Sequence, residues 1–152
     1  MSREATRRLW ILIASIVVAD QLTKHWALNR LSGDRTIDLV GSLRFNLAFN
    51  RGMAFSQATG AGPVIGALGF VIVIVIVLWL RRSATGVAAV AAGMIVGGAI
   101  GNLIDRLAYG HVIDFLDFHL HGWHWPAFNV ADSAITIGAG LFILDEFRRV
   151  NR

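Results

Sequence analysis

The sequence predicts an all-α integral membrane protein: four transmembrane helices with both termini cytoplasmic, plus a small extracytoplasmic β element in the first outer loop. Three observations lead there. Of 152 residues, 55% are apolar and 16% charged, with a mean hydropathy of +0.60, more apolar matter than a soluble core of this length needs. Four apolar runs, residues 9–28, 63–80, 87–104 and 131–147, approach the roughly 20 helical residues that cross a hydrocarbon core of about 30 Å. Arginine gathers at the ends of these runs instead of forming one basic stripe, so the net charge of +4 reads as membrane topology and not as a nucleic-acid surface. The whole chain, 1–152, is expected to be a single integral membrane domain.

In the first run, Arg7 and Arg8 precede an apolar stretch that resembles a signal peptide, but Asp20, Gln21 and Lys24 follow where a small-residue cleavage site would stand. An uncleaved span is therefore expected. The second run is almost unbroken Val, Ile and Leu and is closed by Arg81 and Arg82. Its β-branched residues are read as helical because only helices and closed barrels satisfy the backbone in lipid. In the third run Gly93, Gly97 and Gly101 lie four apart on one face, the spacing of close backbone packing between membrane helices. The fourth is short before Asp145, which a tilted helix accommodates. Between the first and second runs Leu43, Phe45, Leu47 and Phe49 alternate with Arg44, Asn46, Ala48 and Asn50, and period two predicts a short half-buried strand.

Orientation follows from counting. The first eight residues, residues 81–86 and the last five hold eight arginines in nineteen positions, against six Lys or Arg in the sixty-five positions of the two longer connections. The longer connections therefore face outward. Seven of the ten acidic residues fall on that side: Asp20, Asp34, Asp38, Asp105, Asp114, Asp117 and Asp132. Asp105 closes the third run, Asp132 opens the fourth and Asp114 lies between, so antiparallel packing gathers carboxylates at one interface. Desolvation and mutual repulsion then raise at least one pKa, and two carboxyls that share a proton can act as base and acid on a water and a carbonyl. The residues alone leave open which of these aspartates form the pair.

Other chemistries fit less well. Cysteine is absent, and no serine stands in a nucleophile-elbow or Ser/Lys pattern. Asp114, Asp117, His119, His121 and His124 fall within eleven residues, but with no HExxH-type spacing and interleaved with Phe115, Phe118, Trp123 and Trp125. They are read as an aromatic belt at the headgroup level, with no metal and no cofactor expected. Lys24, the sole lysine, stands one turn beyond Asp20, and the two are expected to clamp helices together. A transporter or channel subunit with a carboxylate relay is the alternative, but it would need ionisable groups along a path to both sides, and here they stop at one face.

Five ordered blocks resemble the lipoprotein signal peptidases, or signal peptidase II. They are DQLTK at 20–24, FNRGMAF at 49–55, GGAIGNLIDR at 97–106, HVIDF at 111–115 and WPAFNVADSAI at 125–135. The resemblance implies a monomeric aspartic endopeptidase of the bacterial inner membrane, its active site on the extracytoplasmic side. It would remove signal peptides from diacylglyceryl-modified prolipoproteins before the lipidated cysteine, with membrane lipid and no nucleic acid as further partners. It implies Asp114 and Asp132 as the catalytic pair, and Asp20, Lys24, Asn50, Gly52, Asn102, Arg106 and Asn129 as substrate-binding or supporting residues. Asp105 is then structural, expected to cap the third helix and order Arg106, and Asn129 is placed to cap the fourth.

Overall fold

A computed structural model of the chain describes residues 2–33, 35–51, 71, 74, 78 and 86–151. Among these are helices α1 (Arg3–Arg30), α2 (Gly86–Tyr109) and α3 (Val130–Val150), and strands β1 (Thr36–Val40), β2 (Leu43–Asn50), β3 (Val112–Leu120) and β4 (Trp123–His124). The helices carry the first, third and fourth apolar runs. The second run lies outside the described residues except for Val71, Ile74 and Leu78, which are helical and exposed. Helices α1 and α2 are each long and apolar enough to cross a membrane.

Helix α1 starts at Ser2, whose hydroxyl accepts the Ala5 N–H, and its buried residues are Leu9, Ile13, Asp20, Lys24 and Ala27. Those positions form one stripe at helical spacing, while Trp10, Ile11, Val18 and Leu22 point outward. The stripe is apolar toward its N-terminus, where Leu9 and Ile13 pack with Ala92 and Val96 of α2. Further along it turns ionic.

The predicted glycine face is real and divided between two neighbours. A Cβ at Gly93 would strike Leu9, and one at Gly97 would lie 3.0 Å from the Ile16 Cβ, so both glycines admit α1. Gly101 faces the Asp20 carboxylate. A second small-residue face, one position on, admits α3: a Cβ at Gly98 would collide with the Ala131 carbonyl, and from the other side one at Gly138 would lie 2.7 Å from the Ala91 carbonyl. With no hydrophobic gradient between helices in lipid, this backbone-to-backbone closeness supplies the packing attraction.

The longer connections build more β structure than the sequence pattern announces. The expected strand is present as β2, but it is one of four in an antiparallel sheet ordered β1-β2-β3-β4, and the connection between α2 and α3 contributes β3 and β4. In that connection His121 (φ 49°) and Gly122 (φ 84°) both adopt left-handed backbone between the paired Leu120 and Trp123. This is the two-residue turn whose twist matches a hairpin. Within the β2–β3 pair the register slips by one residue between Phe45 and Ala48, a bulge. The slip has a geometric effect. Arg44 pairs with Asp117 and Ala48 with Asp114, and Asp117 and Asp114, three apart, lie on opposite faces of β3. Without the bulge Arg44, Ala48 and Asn50 would share one face; with it, Arg44 reaches Asp117 while Ala48 and Asn50 share the face of Asp114.

Gly98→Leu is expected to lower the unfolding temperature in detergent, by the equivalent of about 1–3 kcal/mol of overpacking or more. Gly140→Leu, at a position with nothing within 4 Å of an added Cβ, should leave it nearly unchanged.

Candidate active site

At the end of the bundle beside the sheet the Lys24 ammonium is almost completely buried, and each of its three donors has an acceptor. It lies 2.8 Å from Asp20 Oδ2 and 2.8 Å from Asp105 Oδ2, and it donates to Asn102 Oδ1 at 3.0 Å. Gln21 Nε2 adds a second tie, donating to Asp20 Oδ2 (3.2 Å), Asp105 Oδ1 (3.0 Å) and the Gly101 carbonyl (3.2 Å). The two carboxylates spend their remaining capacity on main chain: Asp20 Oδ1 accepts the Ala131 N–H at 2.9 Å, and Asp105 Oδ2 accepts the Ile113 N–H at 3.0 Å.

The expected Asp20–Lys24 pair is thus present, but it is a triad with Asp105. Asp105 neither caps α2, which runs on to Tyr109, nor orders Arg106. Arg106 donates back to the Asn102 carbonyl at 3.3 Å. Gln21 was not singled out in the sequence; its only signal is its place inside the DQLTK block.

Next to the triad, two asparagines carry its order to Asp114 and Asp132. Lys24 can only donate, so Asn102 must turn its oxygen toward it, and its Nδ2 is left to donate to Asp132 Oδ1 at 2.7 Å. Asn129 is the N-cap of α3: its Oδ1 accepts the Asp132 N–H at 2.8 Å, and its own N–H donates to Asp132 Oδ2 at 3.3 Å, a reciprocal capping box. The cap fixes that amide as well, so Asn129 Nδ2 donates to Asp114 Oδ1 at 2.7 Å and to Asn102 Oδ1 at 3.1 Å. One residue therefore bridges the two aspartates, Asp114 through its side-chain amide and Asp132 through the cap.

Asp114 is nearly inaccessible on β3, and Asp132 is half-buried in the first turn of α3. Burial pushes the Asp114 carboxyl up to about 7, helped by the nearby charge of Asp132 and opposed by hydrogen bonds from Asn50 and Asn129 and by Lys24. Asp117, three residues on, behaves oppositely. Burial pushes it upward, but bonds from His124 and Arg44 outweigh that and leave it below the usual carboxylate range. Asp132 and Asn50 border a groove of about 620 Å³ walled by Trp125, Pro126, Phe128 and Ile137.

Of the residues singled out in the sequence, Asp20, Lys24, Asn50, Asn102, Asp114, Asn129 and Asp132 are brought into one connected network, with Arg106 at its edge. Gly52 lies outside the described residues. The histidines of the β3–β4 hairpin stand apart: His124 bonds Asp117 at 3.0 Å and stacks near His119, and among the described residues no three His, Cys, Asp or Glu side chains are disposed to hold a metal.

Apolar helices with buried, hydrogen-bonded carboxyl groups gathered at one end define the class, a helical membrane protein. The sequence profile described as signal peptidase (SPase) II matches residues 12–148, and the chain belongs to that family of peptidases. It is 49% identical over 147 residues to the lipoprotein signal peptidase of Paraburkholderia phytofirmans, covering 93% of this chain and 86% of that one. It is 48% identical over 149 residues to that of Ralstonia nicotianae, covering 95% and 83%. Two solved structures of a bacterial membrane enzyme superpose with a TM-score of 0.84: one is 28% identical and covers 91% of each chain, the other is 27% identical and covers 94% of this chain and 89% of that one.

Lys24→Met would leave two buried carboxylates without a cation and should destabilise the protein by about 3–5 kcal/mol, read as a loss of folded protein in detergent. Asp114 gives a pH signature. Between about 4 and 7 the folded chain keeps a proton that the unfolded chain has released, so stability falls as pH rises through that window and levels off above it. Asp114→Asn should remove this slope, being more stable than the parent at pH 8 by on the order of 3 kcal/mol and equal to it near pH 4.

Proposed function

We propose that this chain is an intramembrane aspartic endopeptidase of the bacterial inner membrane. It removes the signal peptide from diacylglyceryl-modified prolipoproteins by cutting before the lipidated cysteine. Family membership supports the peptidase activity and the class of substrate. The aspartic mechanism rests on one observation: Asn129 bridges Asp114 and Asp132, the one by its amide and the other by its cap.

The chemistry follows from that arrangement. With one proton between them, the ionised carboxylate takes a proton from a water molecule as its oxygen adds to the carbonyl preceding the cysteine, and the neutral carboxyl hydrogen-bonds that carbonyl oxygen. The tetrahedral intermediate then collapses, the C–N bond breaks and the departing amine takes up a proton from the pair. Asp114, held near 7, is suited to carry the shared proton at neutral pH. Asn102 and the α3 N-terminus supply Asp132 with donors on both oxygens.

Four spans place both termini in the cytoplasm and the site at the extracytoplasmic interface, a reading supported by the distribution of arginine. The signal helix approaches laterally from lipid, its acyl chains remaining in the bilayer, and the groove beside Asp132 with its Trp125 and Ile137 walls suits an apolar segment ending at the headgroups. The protein acts as a monomer on this reading. A carboxylate relay for transport is not favoured, since α2 has no ionisable side chain before Asp105.

Asp114→Asn and Asp132→Asn should each reduce cleavage of a diacylated precursor by about 10³-fold or more while the protein still folds, on the scale of losing one member of a concerted acid–base pair. Full activity in both single variants would reject the pair. Activity should also decline as pH rises through about 7, where Asp114 gives up its proton, and a non-acylated precursor should be cut poorly.

A further inference from the structure

The ion triad touches the backbone at two points, and both are adjacent to the proposed catalytic pair. Asp20 holds the N–H of Ala131, the residue before Asp132, at 2.9 Å. Asp105 holds the N–H of Ile113, the residue before Asp114, at 3.0 Å. Lys24 joins the two carboxylates with contacts of 2.8 Å to each, and Gln21 spans them a second time. Asp114 is on a strand and Asp132 on a helix, fifteen and three residues from their common partner Asn129. Main-chain bonds of Phe128 with Phe115 and Leu116 tie β3 to the residue before the α3 cap, and from there strand and helix are joined through the Asn129 side chain.

We propose that Asp20, Lys24 and Asp105 are positioning residues: they set the separation of Asp114 and Asp132 by fixing the main-chain N–H that precedes each. This rests on the dyad reading above and goes beyond it. A mere clamp between α1 and α2 would need only the ion pairs. Here Asp20 turns the oxygen opposite the lysine to α3, and Asp105 shares the oxygen that meets the lysine with β3, so the distance Ala131–Asp20–Lys24–Asp105–Ile113 is a ruler made of five bonded groups. The same ammonium fixes the Asn102 amide that donates to Asp132, so separation and hydrogen-bond polarity have one origin.

The ruler can be displaced without removing charge. Asp20→Glu or Asp105→Glu adds one methylene between the carboxylate and its own helix, so the group that holds the N–H moves relative to the backbone that anchors it. Displacements on the order of 1 Å are enough to lower turnover by about 100-fold. Each variant, assayed on a diacylated precursor peptide in detergent, should lose about 100-fold in kcat with KM within about twofold of the parent. The two limbs of the pH profile should also move together by about one pH unit, because carboxyls set farther apart couple less. A structural role alone predicts something else: fewer active molecules, each with the parent's pH profile, and that result would overturn the proposal. Gln21→Leu is the milder companion should either glutamate variant not fold. It removes the second span while keeping both lysine pairs, and it should narrow the profile in the same sense; an unchanged profile there also counts against the ruler. The dyad is judged separately by the Asp114→Asn and Asp132→Asn variants, so the two ideas fail on different measurements.

Discussion

A buried ammonium group has to be satisfied before the sheet end of this bundle can close, and the rest of the site is organised by how that is done. Desolvating Lys24 costs several kcal/mol, as does desolvating each carboxylate beside it, and attraction between them recovers this only with good geometry and no idle lone pair. Two carboxylates face one lysine, so one negative charge remains in excess. It is met by N–H dipoles: those of Ala131 and Ile113 and the amide of Gln21. An electrostatic deficit in the helix pair thereby recruits a third helix and a strand. Glycine at 101 is part of the same solution, since a side chain there would occupy the place of the Asp20 carboxylate.

From this centre the two neighbouring carboxyls receive unlike surroundings. Asp132 stands in the first turn of a helix, with donors on both oxygens and one side open to the groove. Asp114 stands on a strand, enclosed, with the charge of its neighbour adding to the effect of burial. Pairs of carboxyls whose environments differ in this way can divide acid and base duties at neutral pH, whereas two equivalent ones would have to do so by chance.

Much of the helical frame was legible because membrane helices are written in length and apolarity. Helix α2 runs five residues past the end expected for it at 104, since hydropathy falls at Asn102 and Asp105 although the helix buries both against α1 and β3. Strand β2 showed its period of two; β3 did not. Val112, Ile113, Asp114 and Phe115 are all buried, so no in-out alternation was available to read, and the histidines beyond them suggested an interfacial belt. The choice of Asp114 over Asp105 came from the HVIDF resemblance, because a list of acidic residues says nothing of which carboxylate a distant lysine will claim. Asn129 as a cap was visible from its spacing to Asp132; its hold on Asp114 depends on β3 and was not.

The extra residue in β2 bears on how the outer loop tolerates changes of length. Arg44 and Asn50 serve opposite sides of the sheet only because an odd residue stands between them. Arg44 to Asn50 spans six steps of β2 against the five of β3 from Asp117 to Val112, so losing one position between them would leave a regular ladder with both side chains still opposite their partners. Gaining one would require a second bulge or turn the arginine or the asparagine to the wrong face. Length variation in this segment is therefore tolerable as a single loss and disruptive as a single gain, an asymmetry imposed by the pleat on a stretch that hydropathy alone would pass over as an ordinary amphipathic strand.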